Sequence, residues 1–277
     1  MNDIMALTIE WLPVVLAMMA TGCIAGLLAG LLGVGGGIVI VPVFYFVLET
    51  LGVPSSTAIL VATGTSLLAI VPTSISSILA HNKRQNIDWI LIKRWIPFML
   101  FGVIAGSYLA TEIEGRLISG LFGIIAIGVA MNMLLRANAK PFMQQLPHMA
   151  GQGVMASIIG FFSGMIGIGG GTLGVPMLSA CNYPSHKAVG TAAVFGLLIS
   201  LPGAMVMLLA STPSNAPQAT IGFVNFAGFL CIVPLTVLLA PVGAKLGAKL
   251  DSVMLKRIFS LFLCISGSRM LIQFWGG

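Results

Sequence analysis

The chain has 277 residues, of which 58% are hydrophobic and only 7% charged. A soluble domain carries about 25% charged residues, so this composition excludes a water-soluble protein and reads as a polytopic helical membrane protein. The net charge of +6 comes from basic residues in short loops between apolar runs, where it sets membrane orientation and does not signal nucleic-acid binding.

Taken in chain order, the N-terminus MNDIMALTIEWLP has Asp3 and Glu10 but no basic n-region. No small-residue cleavage site follows, so a removable signal peptide is not expected. The apolar run 11–48 exceeds the roughly 20 residues that cross a bilayer, yet it is interrupted by GVGGGIVIVP at 33–42. Glycines there end one helix, and a second begins near Ile38. An apolar helix with Thr63, Thr65 and Ser66 follows, and Ser74, Ser76 and Ser77 fall at helix contacts or the mouth of a path. The basic loop HNKRQNIDW at 81–89 precedes a helix containing Pro97, Gly102 and Gly106. After TEIEGR (111–116) and a further apolar helix comes the polar linker RANAKPFMQQLPH at 136–148. The glycine interruption then returns as GIGGGTLGVP at 167–176, followed by Thr191, the loop STPSNAPQAT (211–220), an apolar run 222–244 and a last run containing Arg269.

The return is a duplication. At an offset of 134, Gly33, Gly35, Gly36, Gly37, Val41 and Pro42 meet Gly167, Gly169, Gly170, Gly171, Val175 and Pro176. At an offset of 126, Ala62, Gly64 and Thr65 meet Ala188, Gly190 and Thr191; at 137, Pro97 meets Pro234 and Gly106 meets Gly243. The domain expectation is a first repeat over 1–136, a cytoplasmic linker over 137–148 and a second repeat over 149–277. Ten of the 13 Lys and Arg residues fall in three places: 83–94, 136–140 and 245–257. The positive-inside rule assigns these to the cytoplasm. Counting back from 245–257, the glycine-broken segment before His186 starts and ends on that side. The expected fold is therefore an all-α membrane protein of two inverted four-segment repeats. Each has a re-entrant or bent first segment, giving about eight transmembrane segments with both termini outside. If each broken segment crossed once, the halves would be parallel and one basic cluster would lie outside.

Inverted repeats with discontinuous helices are a transporter architecture with a site near the breaks. A new helix presents unpaired N–H groups and partial positive charge at its start, and glycine admits close approach. Two such starts form an anion site without a charged side chain. The candidate substrate-binding residues are Gly35, Gly36, Gly37, Gly169, Gly170 and Gly171, with the hydroxyls of Thr63, Thr65, Ser66, Thr172 and Thr191. Arg269 is a further candidate, as an anion-exit contact or an interfacial anchor. Gly26 and Gly30 read as helix packing, and no strand precedes GVGGG as a nucleotide loop requires. Cys23, Cys181, Cys231 and Cys264 lack CxxC spacing, and His81, His148 and His186 lack ligand spacing. Neither a metal nor a cofactor is expected.

The duplicated G-x-GGG-x(4)-P, the Ala-x-Gly-Thr stretch after it and HNKRQNIDW together resemble the sulfite exporter TauE/SafE family of bacterial membrane proteins. The resemblance implies outward transport of sulfur oxyanions or organosulfonates across the inner membrane. The second repeat departs from the first in Thr172 for Ile38 and Asn225 for Asp88. Expected partners are a small anion such as sulfite or a sulfonate and the lipid bilayer; nucleic acid is not expected, and a homodimer is left open. A membrane-embedded enzyme is the main alternative, but no nucleophile–base pair sits at depth. An uptake permease for another anion is a second alternative. A cation carrier would need central carboxylates, whereas all seven acids fall at segment ends or in loops.

Overall fold

Breaks in the apolar pattern become helix ends in the computed structural model, which describes residues 2–135, 142–247 and 252–276. The order is α1 (Asn2–Leu32), α2 (Gly37–Thr50), α3 (Ser55–Asn82), α4 (Trp89–Glu112), α5 (Gly115–Leu135), α6 (Met149–Ile166), α7 (Gly171–Ala180), α8 (Ser185–Leu209), α9 (Phe226–Leu246) and α10 (Ser252–Gly276). Among the described residues, seven of these helices are long and apolar enough to cross a membrane. Two shorter apolar stretches, Gly37–Thr50 and Phe259–Trp275, accompany them. Against the all-α expectation there is one small exception. Thr220–Ile221 (β1) and Val224–Asn225 (β2) pair antiparallel around Gly222, whose φ of 59° closes the turn.

Helix α3 occupies the centre, its apolar window 78% buried, and it packs on α2, α8 and α9. Two parallel helix pairs complete the bundle, α1–α9 against α3 and α4–α6 against α8. A Cβ added at Gly22, Gly26 or Gly30 of α1 would lie 2.6 Å, 2.7 Å or 1.9 Å from the backbone of Ile232, Thr236 or Ala240 on α9. The same stagger joins α4 to α6, where Gly102 and Gly106 abut Ser157 and Phe161, and Gly160 abuts Met99. Glycine at every fourth residue thus lets two backbones approach closely, the expected packing role of Gly26 and Gly30. Along both pairs the residue numbers rise together, so the helices in each pair run in the same direction.

These contacts fix the two ends of the bundle. His81 and Arg84 mark one end, where the α1 carbonyl of Gly30 lies 3.1 Å from His81 Nε2. Arg84 donates to the Ala244 carbonyl near the end of α9 at 2.8 Å. The Met143 N–H donates to Ala180 O at 2.9 Å, which brings the end of α7 beside the chain that leads into α6. Ten residues of helix rise only about 15 Å, half of a hydrocarbon core, so α7 alone does not span it. Arg136, Lys140, Lys249 and Asp251 lie outside the described residues, as do the side chains of Asp3, Glu10, Lys256 and Arg257.

Candidate functional site

The two glycine interruptions touch. Gly33, Gly35, Gly36 and Gly167 adopt φ of 66°, 76°, 82° and 73°, a conformation glycine alone adopts without a steric cost. A Cβ on Gly171 would lie 1.8 Å from Gly33 O, one on Gly169 2.2 Å from Val34 O, and one on Gly37 2.6 Å from Gly167 O. The glycines therefore admit the opposite backbone, where ligand contact had been expected. Gly36 and Gly170 face Ala25 and Phe195 respectively, and Gly35 faces Ile70 and Gly169.

The matched threonines are equally specific in their partners. Thr65 Oγ1 accepts the Asn225 N–H at 2.9 Å, and Thr191 Oγ1 accepts the Asp88 N–H at 3.0 Å. Each thus holds the residue that caps a helix in the other half. Asp88 Oδ1 accepts from the N–H groups of Ile90 and Leu91, both at 3.0 Å, and Asn225 Oδ1 accepts from Gly228 at 2.8 Å. Both are side-chain N-caps. The exchange of Asp for Asn follows from the remaining partners. Asp88 Oδ2 accepts the Tyr183 hydroxyl, whereas Asn225 Nδ2 donates to Gln218 O at 2.8 Å and Thr220 Oγ1 at 2.9 Å, which a carboxylate could not do. Burial pulls the Asp88 carboxyl upward. The hydrogen bonds from Tyr183, Leu91 and Ile90, with Lys187 nearby, outweigh it and hold the group below the usual carboxylate range. Burial and the Asp88 bond push the Tyr183 phenol up.

Of the remaining hydroxyls, Ser66 donates to Gly167 O at 2.8 Å and pins the second interruption to α3. Thr63 and Thr172 are 0% and 2% exposed, and their Oγ1 atoms have no hydrogen-bond partner. Thr172 stands in the first turn of α7 and lines a cavity of about 520 Å³. Gly171, His81, Arg84, Asn86 and His186 line it too, and among the described residues no carboxylate does. His81 Nε2 faces the Gly30 carbonyl, so this nitrogen carries the proton, while Nδ1 has no partner.

Of the candidate residues, only Gly171 and Thr172 line this cavity. The start of α2 is sealed off: Ile38, at the position matching Thr172, is 1% exposed, and Gly37 packs on Ile70, Ser66 and Gly167. Arg269 lies elsewhere, with its guanidinium carbon 4.2 Å from the ring centre of Phe46 on α2. Sequence reasoning placed His81 near the cytoplasmic mouth but did not find Arg84 and Asn86 as lining groups; those two read only as parts of a basic loop. It also missed Tyr183, whose partner Asp88 lies 95 residues away.

Comparison with known proteins agrees with this architecture. The family model for the sulfite exporter TauE/SafE matches residues 18–270. A probable membrane transporter protein of Haemophilus influenzae is 30% identical over 94% of this chain and 98% of its own. One from Methanocaldococcus jannaschii is 28% identical over 97% of this chain and 100% of its own. The probable membrane transporter protein YunE of Bacillus subtilis is 28% identical over 91% and 95% respectively. No solved structure matches. A multi-pass chain of membrane-length helices, matched almost end to end by this model and by named membrane transporters, belongs to the sulfite exporter TauE/SafE family.

Proposed function

We propose that the chain transports a small sulfur oxyanion or organosulfonate, outward, across a bacterial inner membrane. The observation that carries this reading is the cavity at the start of α7. It presents an unpartnered buried hydroxyl, Thr172, together with a helix start, beside Arg84, His81 and His186, and among the described residues no carboxylate lines it. An unpaired buried hydroxyl costs about 1–3 kcal/mol, and an oxyanion is a partner that would repay it. The N-terminal end of the α7 dipole adds partial positive charge of the same sign. A volume of about 520 Å³ holds a small anion with some of its water.

In this reading residues 1–136 and 149–277 are inverted repeats joined by 137–148. The end carrying His81 and Arg84 faces the cytoplasm. The parallel pairs α1–α9 and α4–α6, which exchange when the halves are exchanged, support it. So does the mirrored bonding of Thr65 and Thr191. The cavity is then the cytoplasmic vestibule, and the touching glycine interruptions are the barrier beyond it.

The test is flux of sulfite, sulfate, thiosulfate, sulfoacetate and taurine by purified protein in liposomes, with Thr172→Val beside the wild type. Valine keeps the shape and removes only the unpartnered hydroxyl, so folding is retained. One hydrogen bond to a charged group contributes about 1.5–3 kcal/mol, so apparent affinity should fall at least about tenfold. No flux for any of these anions, or full affinity in Thr172→Val, refutes the reading. Labelling of single cysteines checks the topology, since outside reagents should reach the termini and not 81–94.

A further inference from the structure

At the other end of α3, α5 and α10 lies a second cavity, of about 560 Å³, lined by Tyr45, Ser55, Arg116, Ser119, Arg269 and Gln273 among others. Two guanidinium groups therefore meet one cavity. Arg116 Nε donates to the Phe274 carbonyl at 2.7 Å, so its remaining N–H groups stay available. Arg269 lies over the Phe46 ring and makes no hydrogen bond to a described residue. Glu112 and Glu114 precede Arg116 on the α4–α5 connection, and neither lines the cavity.

The carboxylate held by groups of this cavity is Glu49, in the last turn of α2, which does not itself line it. Three neutral donors converge on its single oxygen Oε1: Tyr45 OH at 2.8 Å, Ser55 Oγ at 2.5 Å, and Gln273 Nε2. All three donors line the cavity. They come from α2, α3 and α10, and such a set around one oxygen suits any oxyanion oxygen. A carboxylate on the chain occupies it.

We propose that this cavity is a second oxyanion site, in which the Glu49 carboxylate stands on the donors that a passing anion takes. The class of anion rests on the transport reading above. Arriving there, the anion displaces Glu49 from Tyr45, Ser55 and Gln273, and Arg269 and Arg116 offset its charge. When Glu49 swings back, the anion is expelled. Two arginines alone would bind an oxyanion tightly and release it slowly, whereas a path conducts only if each site lets its ion leave. A tethered competitor supplies that weakness. It also explains why a half-buried acid lies between three neutral donors with two cations close by.

The experiment is calorimetric titration of the full chain in nanodiscs, with sulfite and with methanesulfonate as probes. Glu49→Gln keeps the side chain's size and removes the competing charge, so either probe should bind about tenfold more tightly. Adding Arg269→Gln should abolish that gain. If Glu49 is only a clamp between α2, α3 and α10, Glu49→Gln lowers thermal stability and leaves probe affinity unchanged, which overturns the proposal. Should Glu49→Gln fail to fold, the exposed pair Arg116→Gln/Arg269→Gln decides instead. It should weaken probe binding about tenfold, and unchanged affinity overturns the proposal. The two readings fail separately. If no anion crosses the bilayer but Glu49→Gln tightens binding, transport falls and this site stands. If anions cross and affinity does not respond to Glu49, the site falls and transport stands.

Discussion

Gly171→Ala tests whether the glycine interruptions exist to touch each other. The new methyl carbon would lie 1.8 Å from Gly33 O and 2.7 Å from Val34 Cα, whereas ordinary contact begins at 3.4 Å. The two interruptions must therefore part by about 1.6 Å, and both obstacles are backbone atoms that no rotamer can move. Overpacking of this kind costs about 1–3 kcal/mol. Part of that is returned by the better helix propensity of alanine in the first turn of α7. Gly128 is the matched control, because nothing lies within 4 Å of an added Cβ there and its φ is ordinary. Gly128→Ala should stabilise by about 0.5–1 kcal/mol, since glycine is a poor residue inside a helix. The assay is thermal unfolding of detergent-solubilised protein, followed by size-exclusion chromatography of heated samples. Gly171→Ala should melt below the wild type and Gly128→Ala above it. A Gly171→Ala protein as stable as the wild type would mean that the interruptions do not meet as described.

Thr65→Val and Thr191→Val should each lower stability by about 1–3 kcal/mol, because each leaves the N–H of Asn225 or Asp88 without an acceptor. Thr→Ser at either position should restore most of the loss, and the same melting assay reads it. Asp88→Asn retains the cap but removes the charge that Tyr183 and Lys187 favour, so it should destabilise by at most about 1 kcal/mol at neutral pH, discounted for exposure. Because the folded carboxyl titrates below its unfolded value of about 3.9, its contribution is present above that pH and fades as pH falls through the folded value. The two proteins should therefore converge in acid, and a pH series of melting temperatures checks this. In liposomes, anion flux should respond to a membrane potential without a pH gradient, at roughly 2.3 kcal/mol per charge per 100 mV. Strict dependence on a pH gradient would require a proton site, for which His81 Nδ1 is the first place to look.

Much of this was legible in local pattern. The helices after the two glycine runs, α2 and α7, start within one residue of Ile38 and Thr172, because a glycine run interrupts an apolar helix. The Gly26–Gly30 contact is spacing alone. Thr65 and Thr191 stood out as a matched pair, but their role did not. Whether a hydroxyl meets its own helix, a ligand or a distant N–H depends on what packs opposite, and their partners lie 160 and 103 residues away. Glu49 was hidden for the same reason. It read as an acid at a segment end, while two of its donors lie 4 and 6 residues away and the third 224. The sealed start of α2 had a visible signal in the exchange of Ile38 for Thr172, which makes one half polar where the other is apolar.

That asymmetry bears on how a path could run. The two cavities lie at opposite ends of α3, α5 and α10, and the touching interruptions lie against α3 between them. Besides Thr172, the buried hydroxyls of Thr63, Ser74, Ser77, Ser107, Ser163 and Ser200 have no hydrogen-bond partner, and all come from α3, α4, α6 and α8. Ser107 Oγ lies 2.8 Å and 3.1 Å from where Cβ atoms on Gly164 and Gly203 would stand. Ser74 Oγ lies 2.6 Å from that of Gly196. Small residues thus leave these oxygens facing backbone across helix contacts. Unpaired buried hydroxyls are rare in proteins, and such a set along one seam is costly in a permanently closed structure. The cost falls if the seam opens during transport and water or an anion takes up the free donors. On that account the neutral hydroxyls give the anion weak hydrogen bonds between the vestibule at Thr172 and the arginine cavity, and no fixed cation along the way would trap it.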